Sequence, residues 1–287
     1  MIVLLRPGQW IKNLLVFMPV FFNGTFIQGV ALAESAIVFC LFCIASSAVY
    51  CFNDMVDAPS DRNHPKKKLR PVASGAVSPK TAAAMGAILA VTSVAIAAAA
   101  FQAASLVAAI IASYLLLNIA YTLRLKHIPI LDIMIVAFGF VLRVLAGGSA
   151  CGIKLSPWIV ILTFLATLFI AMAKRRADFI IQARTSGEQR RSVKGYSLPY
   201  TDVALGLLAT MSVISYLMYS MQESVMLRTS EHFYVTGIFV LTGFMRYLML
   251  AFNSGEGDNP SALLVHDKGI LASVLAWIAA CALFLYL

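Results

Sequence analysis

Residues 53–71 read NDMVDAPSDRNHPKKKLRP, and the reading of this stretch decides the fold. Three carboxylates, then a burst of Lys and Arg, stand between two long apolar segments. On a helix Asp54, Asp57 and Asp61 recur at i, i+3 and i+7, which at about 100° per residue puts them within a sector of about 60°, with Asn53 beside it. Carboxylates on one face repel each other unless a cation sits among them. Hard oxygen ligands of this kind suit Mg²⁺, which commonly bridges side-chain carboxylates to substrate phosphates. The plainer reading is a solvated acidic helix end followed by a basic loop. The position at the end of an apolar segment, with cations directly after it, favours a metal–diphosphate site.

Outward from this stretch the chain is strongly apolar. Its 287 residues are 61% hydrophobic and only 12% charged, which describes a polytopic membrane protein and excludes an ordinary soluble domain. No cleavable leader is expected, since Arg6, Pro7, Trp10 and Lys12 interrupt the first apolar residues. The five Cys lie in or beside apolar segments without zinc-type spacing, and read as small packing residues. A net charge of +9 raises nucleic acid as a partner, but the charge alternates from loop to loop as membrane orientation demands, so no nucleic acid is expected.

Hydropathy predicts an all-α fold of nine transmembrane helices in a single domain over 1–287, at about 11–26, 34–54, 78–101, 104–123, 129–151, 157–173, 201–221, 233–252 and 270–287. Pro79, Pro129 and Pro157 are read as helix openers, and the Ala-rich third segment as a close packer. The N-terminus and alternate loops hold nearly all the Lys and Arg, while the opposite loops contribute only Lys154 and Arg228. The positive-inside rule then puts the N-terminus and every polar motif at the cytoplasmic face, and the C-terminus outside.

A second polar constellation begins LFIAMAKRRADF. Lys174, Arg175, Arg176 and Asp178 close the sixth segment, followed by Arg184, Arg190, Arg191, Lys194 and Tyr196. Guanidinium groups give paired contacts to phosphate and ammonium a point charge, so a phosphate-rich substrate is expected here; the alternative is an orientation signal touching anionic headgroups. Arg176, about 100° further round the helix than Arg175, is expected to face lipid headgroups. Asp132 and Arg143 lie within one apolar segment, roughly 16 Å apart and too far to pair directly. Asp132 reads as a site residue and Arg143 as structural. Four scattered His give no zinc site.

NDxxDxxxD after a membrane helix resembles the first aspartate-rich motif of the UbiA-type intramembrane prenyltransferase superfamily. Together, RPGQWIKN, SSAVYCFNDMVDAPSDRNHPKKKLRP, LKHIPILD, GFVLRVLAGG and MAKRRADF resemble its decaprenyl-phosphate phosphoribosyltransferase branch, in order from Arg6 to about Lys268. The resemblance implies a nine-helix bundle whose central cavity opens to the cytoplasm, in a bacterial-type inner membrane. It implies transfer of 5-phosphoribose from phosphoribosyl pyrophosphate to a polyprenyl phosphate, with Mg²⁺ as cofactor and membrane lipids as surroundings, for arabinofuranosyl donors of cell-wall glycans. Asp54, Asp57 and Asp61 are then the catalytic and metal-holding residues. Lys12, Asn13, Asn53, Arg62, Lys67, Arg70, Tyr121, Lys126, Asp132, Lys174 and Arg175 are the candidates for substrate and phosphate binding. A homo-oligomer is left open. Usual members have a second aspartate-rich motif where this chain reads AKRRADF, with one Asp and three cations.

The implied chemistry agrees with the residues. The acceptor phosphate is already an oxyanion at neutral pH, so no strong base is required, and the sequence offers no obvious His or Cys catalyst. An ordinary prenyltransferase is the competing enzyme, and predicts the missing second motif. A lipid carrier or transporter is the competing non-enzyme, and predicts broken apolar segments in symmetric positions, which are not evident.

Overall fold

The structure, a computed structural model, describes residues 2–63, 67–101, 106–184, 195–253 and 266–286. His64, Lys66, Arg190, Arg191, Lys194, Glu256 and Asp258 lie outside the described residues, as does the side chain of Arg184. Every regular element among those described is helical. The long ones are α1 (Gly29–Asp61), α2 (Pro79–Ala100), α3 (Leu106–Leu123), α4 (Leu131–Ala150), α5 (Pro157–Arg184), α6 (Leu198–Ser220), α7 (Gly237–Asn253) and α8 (Lys268–Tyr286). Eight spans are long and apolar enough to cross a membrane, α7 counting together with the turn of 3₁₀-helix that leads into it.

Two boundaries differ instructively from the hydropathy reading. α1 continues to Asp61 and α5 to Arg184, well past their apolar stretches. At 1.5 Å per residue α1 is about 50 Å long, more than a hydrocarbon core of about 30 Å requires. Apolarity marks the membrane, not the helix, and falls silent where the helix enters polar surroundings. The first expected helix, 11–26, is instead a 3₁₀ run over Pro7–Phe17 followed by a short α-helix, Met18–Phe22. Since 3₁₀ rises about 2.0 Å per residue, this short segment still extends about 30 Å. Caps explain other starts: Ser78 Oγ accepts from the Thr81 N–H at 3.1 Å with Pro79 following, and Ser197 does the same for Tyr200. Pro129 does not open a helix, because α4 begins two residues later, after Ile130 adopts a left-handed conformation.

The chain forms two compact units. Unit 1 holds Met1–Lys126 and Phe138–Leu155. In it the N-terminal segment runs antiparallel along α1: Ser47 Oγ lies 2.9 Å from the Leu5 carbonyl, Asn13 reaches Cys43, and Phe17 meets Phe39. Lipid tails are as apolar as the helices, so close approach and polar contacts, more than hydrophobicity, select this packing. α2 buries only small residues, Ala82, Gly86, Ser93 and Ala97. A side chain at Gly147 would overlap the Val16 carbonyl, so glycine there lets the N-terminal backbone lie directly on α4.

Arg143 sits at the centre of unit 1, only 6% exposed. It donates through Nε to Asn13 (2.7 Å), through Nη1 to the Gly139 carbonyl (2.7 Å) and through Nη2 to Tyr114 Oη (3.1 Å), and lies over the rings of Phe42, Tyr114 and Phe140. Neutral dipoles and aromatic faces therefore disperse its charge. This is the structural role expected of it.

Unit 2 holds His127–Ala137 and Ser156–Leu287. α5 packs mainly on α6, and α7 on α8. Phe169 meets Phe244 and Tyr247 edge-on, and Tyr216 Oη joins Thr236 and the Trp277 indole N–H. Asp267 caps α8 by accepting from the Ile270 N–H (2.9 Å) and pairs with Arg246 (2.9 Å), which pulls its carboxyl down to about 2.

Candidate active site

The acidic face of α1 is divided into two rows. Asn53 and Asp57, one turn apart, face the end of α3: Asn53 hydrogen-bonds Thr122, and Asp57 pairs with Lys126, carried there by a 3₁₀ turn over Leu125–His127. Asp54 and Asp61 face the N-terminal segment and the basic loop. Asp54 pairs with Arg6, whose guanidinium also lies 4.9 Å from the centre of the Tyr50 ring, one turn earlier on α1. Arg70 Nη1 stands 2.6 Å from Asp61 and 3.7 Å from Asp54, and Lys67 reaches Asp61 at 4.0 Å.

Local structure explains how the cations arrive. Arg6 precedes a proline, which disfavours the helical conformation, and its backbone turns left-handed (φ 51°). That turn ends the short leading helix, Ile2–Leu5, and starts the 3₁₀ run. The loop after Lys67 is pinned by its own apolar residues: Val72 and Val77 join Leu4, Cys51, Ala58 and Ala82 in one buried cluster. Backbone bonds from Ser74 to Arg70 and from Val77 to Pro71 close the turn, which holds Arg70 over the carboxylates.

The expected metal set does not stand preassembled. Among the described residues no three acidic, His or Cys side chains gather as a metal site. Mutual repulsion accounts for this, since each carboxylate turns to neighbouring cations, Arg70 being shared by Asp54 and Asp61. The donor chemistry nevertheless fits a divalent ion. Arg70 Nη1 stands between Asp54 and Asp61, and Asp54, 1% exposed, keeps one carboxylate oxygen, Oδ2, buried without a hydrogen-bond partner. A buried carboxylate oxygen left unpaired is costly, and a hard cation is the natural remedy.

The second constellation is built the other way round. Arg175 donates through Nε to Asp132 (2.6 Å) and through Nη1 to Asp178 (3.3 Å). Tyr196 Oη donates to the other Asp132 oxygen (2.7 Å) and accepts from the Ile130 N–H (2.6 Å). Burial, then the neighbouring carboxylate, pushes this phenol well above its usual range, so it stays a donor. Ile130 sits at φ 69°, a strained conformation for a β-branched residue. Gly195 (φ 99°) packs against the Pro129 ring, where a side chain would clash. Arg176 corrects its expectation: it does not face lipid headgroups. It is buried, donating to Asp202 (2.6 Å) and the Ala251 carbonyl (2.7 Å) and stacking on Phe252, because a charge at that helix position points between α5, α6 and α7.

The other expected residues fall as follows. Asn13 is fully buried as Arg143's acceptor, with its amide turned to Cys43 and Ser46. Lys12, Arg62 and Lys174 are exposed, and Tyr121 is half-buried. Asp132 holds Arg175 and Tyr196. Sequence reasoning singled out neither Arg6 nor Thr122. The Arg–Pro step marks Arg6 as a turn, but no local signal leads from it to Asp54.

Residues 16–186 match the UbiA prenyltransferase family. Decaprenyl-phosphate phosphoribosyltransferase of Corynebacterium glutamicum is 32% identical, the alignment covering 100% of this chain and 87% of the relative. That of Mycolicibacterium smegmatis is also 32% identical, over 95% and 88%. A UbiA homologue from Archaeoglobus fulgidus, solved with DMAPP and Mg²⁺, superposes with a TM-score of 0.71 at 20% identity, over 99% of this chain and 98% of that one. At that identity the likeness speaks for the fold. The sequence relatives and the family match agree with it, and the chain belongs to the UbiA prenyltransferase family.

Proposed function

We propose that the protein transfers 5-phosphoribose from phosphoribosyl pyrophosphate to a polyprenyl phosphate, releasing pyrophosphate, in a Mg²⁺-dependent reaction that supplies arabinofuranosyl donors for cell-wall glycans. The observation that carries the reading is a cation-rich carboxylate site on α1, in a chain alike over its length to phosphoribosyltransferases. In the reaction the bond from C1 to the pyrophosphate oxygen breaks, and one from C1 to the lipid phosphate oxygen forms. Asp54, Asp57 and Asp61 hold the metal. A bound Mg²⁺ supplies charge neutralisation at the leaving pyrophosphate as C1 becomes oxocarbenium-like. Lys12, Asn53, Arg62, Lys67, Arg70, Tyr121 and Lys126 bind and orient the phosphates and ribose. Lys174 and Arg175, the latter oriented by Asp132, serve phosphate groups in place of a second metal set.

The N-terminal segment is the ninth crossing, since its 3₁₀ rise gives it the reach of a membrane helix, and the site opens to the cytoplasm of a bacterial-type inner membrane. Arg6 meeting Asp54 supports this, because it sets the chain's start beside the acidic end of α1. Labelling a cysteine placed at Ser186 in a cysteine-free background tests the topology: reaction from outside intact cells contradicts it.

The function is tested with purified protein, labelled phosphoribosyl pyrophosphate and polyprenyl phosphate. Labelled lipid is expected only with Mg²⁺. Transfer of a prenyl group from prenyl diphosphate to an aromatic acceptor, with no labelled lipid, would replace this reading by ordinary prenyl transfer.

A further inference from the structure

The charges at the acidic end of α1 are already matched. Among the described residues Asp54, Asp57 and Asp61 are paired with Arg6, Arg70, Lys67 and Lys126. Asp54 and Asp61 are buried, so charge added there is poorly screened by solvent. A bare divalent cation entering this site would meet positive neighbours at every carboxylate. A cation arriving with a diphosphate brings negative charge with it, and offers those same side chains new acceptors in paired geometry.

The exposures fit such an exchange. The cations are partly open to solvent: Arg6 and Arg70, with side-chain exposure of 25% and 24%, guard an Asp54 carboxylate sealed at 0%, and Lys126, at 20%, sits beside an Asp57 carboxylate exposed at 28%. Arg6 is also the best prepared to stay charged and aligned when it lets go of Asp54, because the Tyr50 ring supports its guanidinium.

Resting on the metal–diphosphate reading above, we propose that Arg6, Arg70 and Lys126 are exchangeable counter-ions. They balance the α1 carboxylates in the unloaded protein and turn to the donor's diphosphate when it arrives, so the divalent cation is taken up as its diphosphate complex and only weakly by itself. Arg6 thereby joins the donor-binding residues.

The test measures protein-bound Mn²⁺ by equilibrium dialysis and electron paramagnetic resonance on purified full-length protein, with and without inorganic pyrophosphate. Pyrophosphate is expected to tighten Mn²⁺ binding roughly tenfold or more. Arg6→Gln is expected to tighten Mn²⁺ binding in the absence of pyrophosphate by about tenfold, through loss of one nearby positive charge, and to shrink the gain that pyrophosphate gives. Equal Mn²⁺ affinity with and without pyrophosphate in the parent protein, which needs no variant to fold, overturns the exchange while leaving the metal site intact. Unchanged constants in Arg6→Gln, Arg70→Gln and Lys126→Gln do the same. No bound Mn²⁺ under either condition overturns both the exchange and the metal reading beneath it.

Discussion

The ends of α1 and α5 use the same ion-pair chemistry with the roles reversed. On α1 the helix carries the carboxylates, and the N-terminal segment, the basic loop and the end of α3 bring cations. On α5 the helix carries the cations, and α4, α6 and α5 itself bring carboxylates. The outcome differs in completeness. Around Asp132 each carboxylate oxygen has its own donor, and Arg176 adds a backbone carbonyl and an aromatic face to its ion pair. On α1 one buried oxygen of Asp54 is left open. Breaking a saturated network costs stability first, whereas breaking an open one costs ligand binding first. By that measure the end of α1 is the more open of the two.

The largest effect expected is at Asp54. Asp54→Asn keeps the shape but removes the charge that Arg6, Arg70 and a divalent ion share, so turnover of labelled phosphoribosyl pyrophosphate should fall at least about a hundredfold, or roughly 2.7 kcal/mol. The variant should still elute as folded protein in detergent. Near-parent turnover would make the α1 end a structural brace.

Next comes Arg176. Arg176→Ala strands Asp202 and the Ala251 carbonyl, and loss of charge-assisted hydrogen bonds should cost about 2–3 kcal/mol of stability. The expected readout is an apparent melting temperature lower by about 5 °C. Loss of substrate affinity at unchanged melting temperature would turn Arg176 into a site residue.

Arg175 tests the middle ground. Arg175→Ala should raise the apparent KM for at least one phosphorylated substrate by about tenfold. Asp132→Asn should reproduce part of that rise, because Asp132 holds the Arg175 side chain. If Arg175→Ala alters stability alone, the whole end of α5 is a brace. The smallest effect is expected at exposed Lys174: Lys174→Ala should raise one KM a few-fold at low salt, and the effect should fade as ionic strength screens the charge.

Much of this was legible in the chain. Periods of apolarity placed eight spans, Ser78 and Pro79 announced α2, and the 54–57–61 spacing put three carboxylates on one side of a helix. The motif quintet pointed to the right family. Hydropathy did not show that the N-terminal segment is largely 3₁₀-helix, because it reports apolar content and not rise per residue.

Sequence by itself determined which charges exist, which helices carry them, and which lie one turn apart, because those follow from composition and a helical period. Only the tertiary structure decided their partners. Asn13 and Lys12 are neighbours in one motif, yet Asn13 is sealed against Arg143 while Lys12 is exposed. Arg175 and Arg176 are adjacent, yet one turns to Asp132 and the other to Asp202. Arg6 reaches Asp54 across 48 residues. Ion pairs act through distance in space, and a linear pattern of charge holds no record of which distant segment the packing of small residues and buried valines will bring alongside.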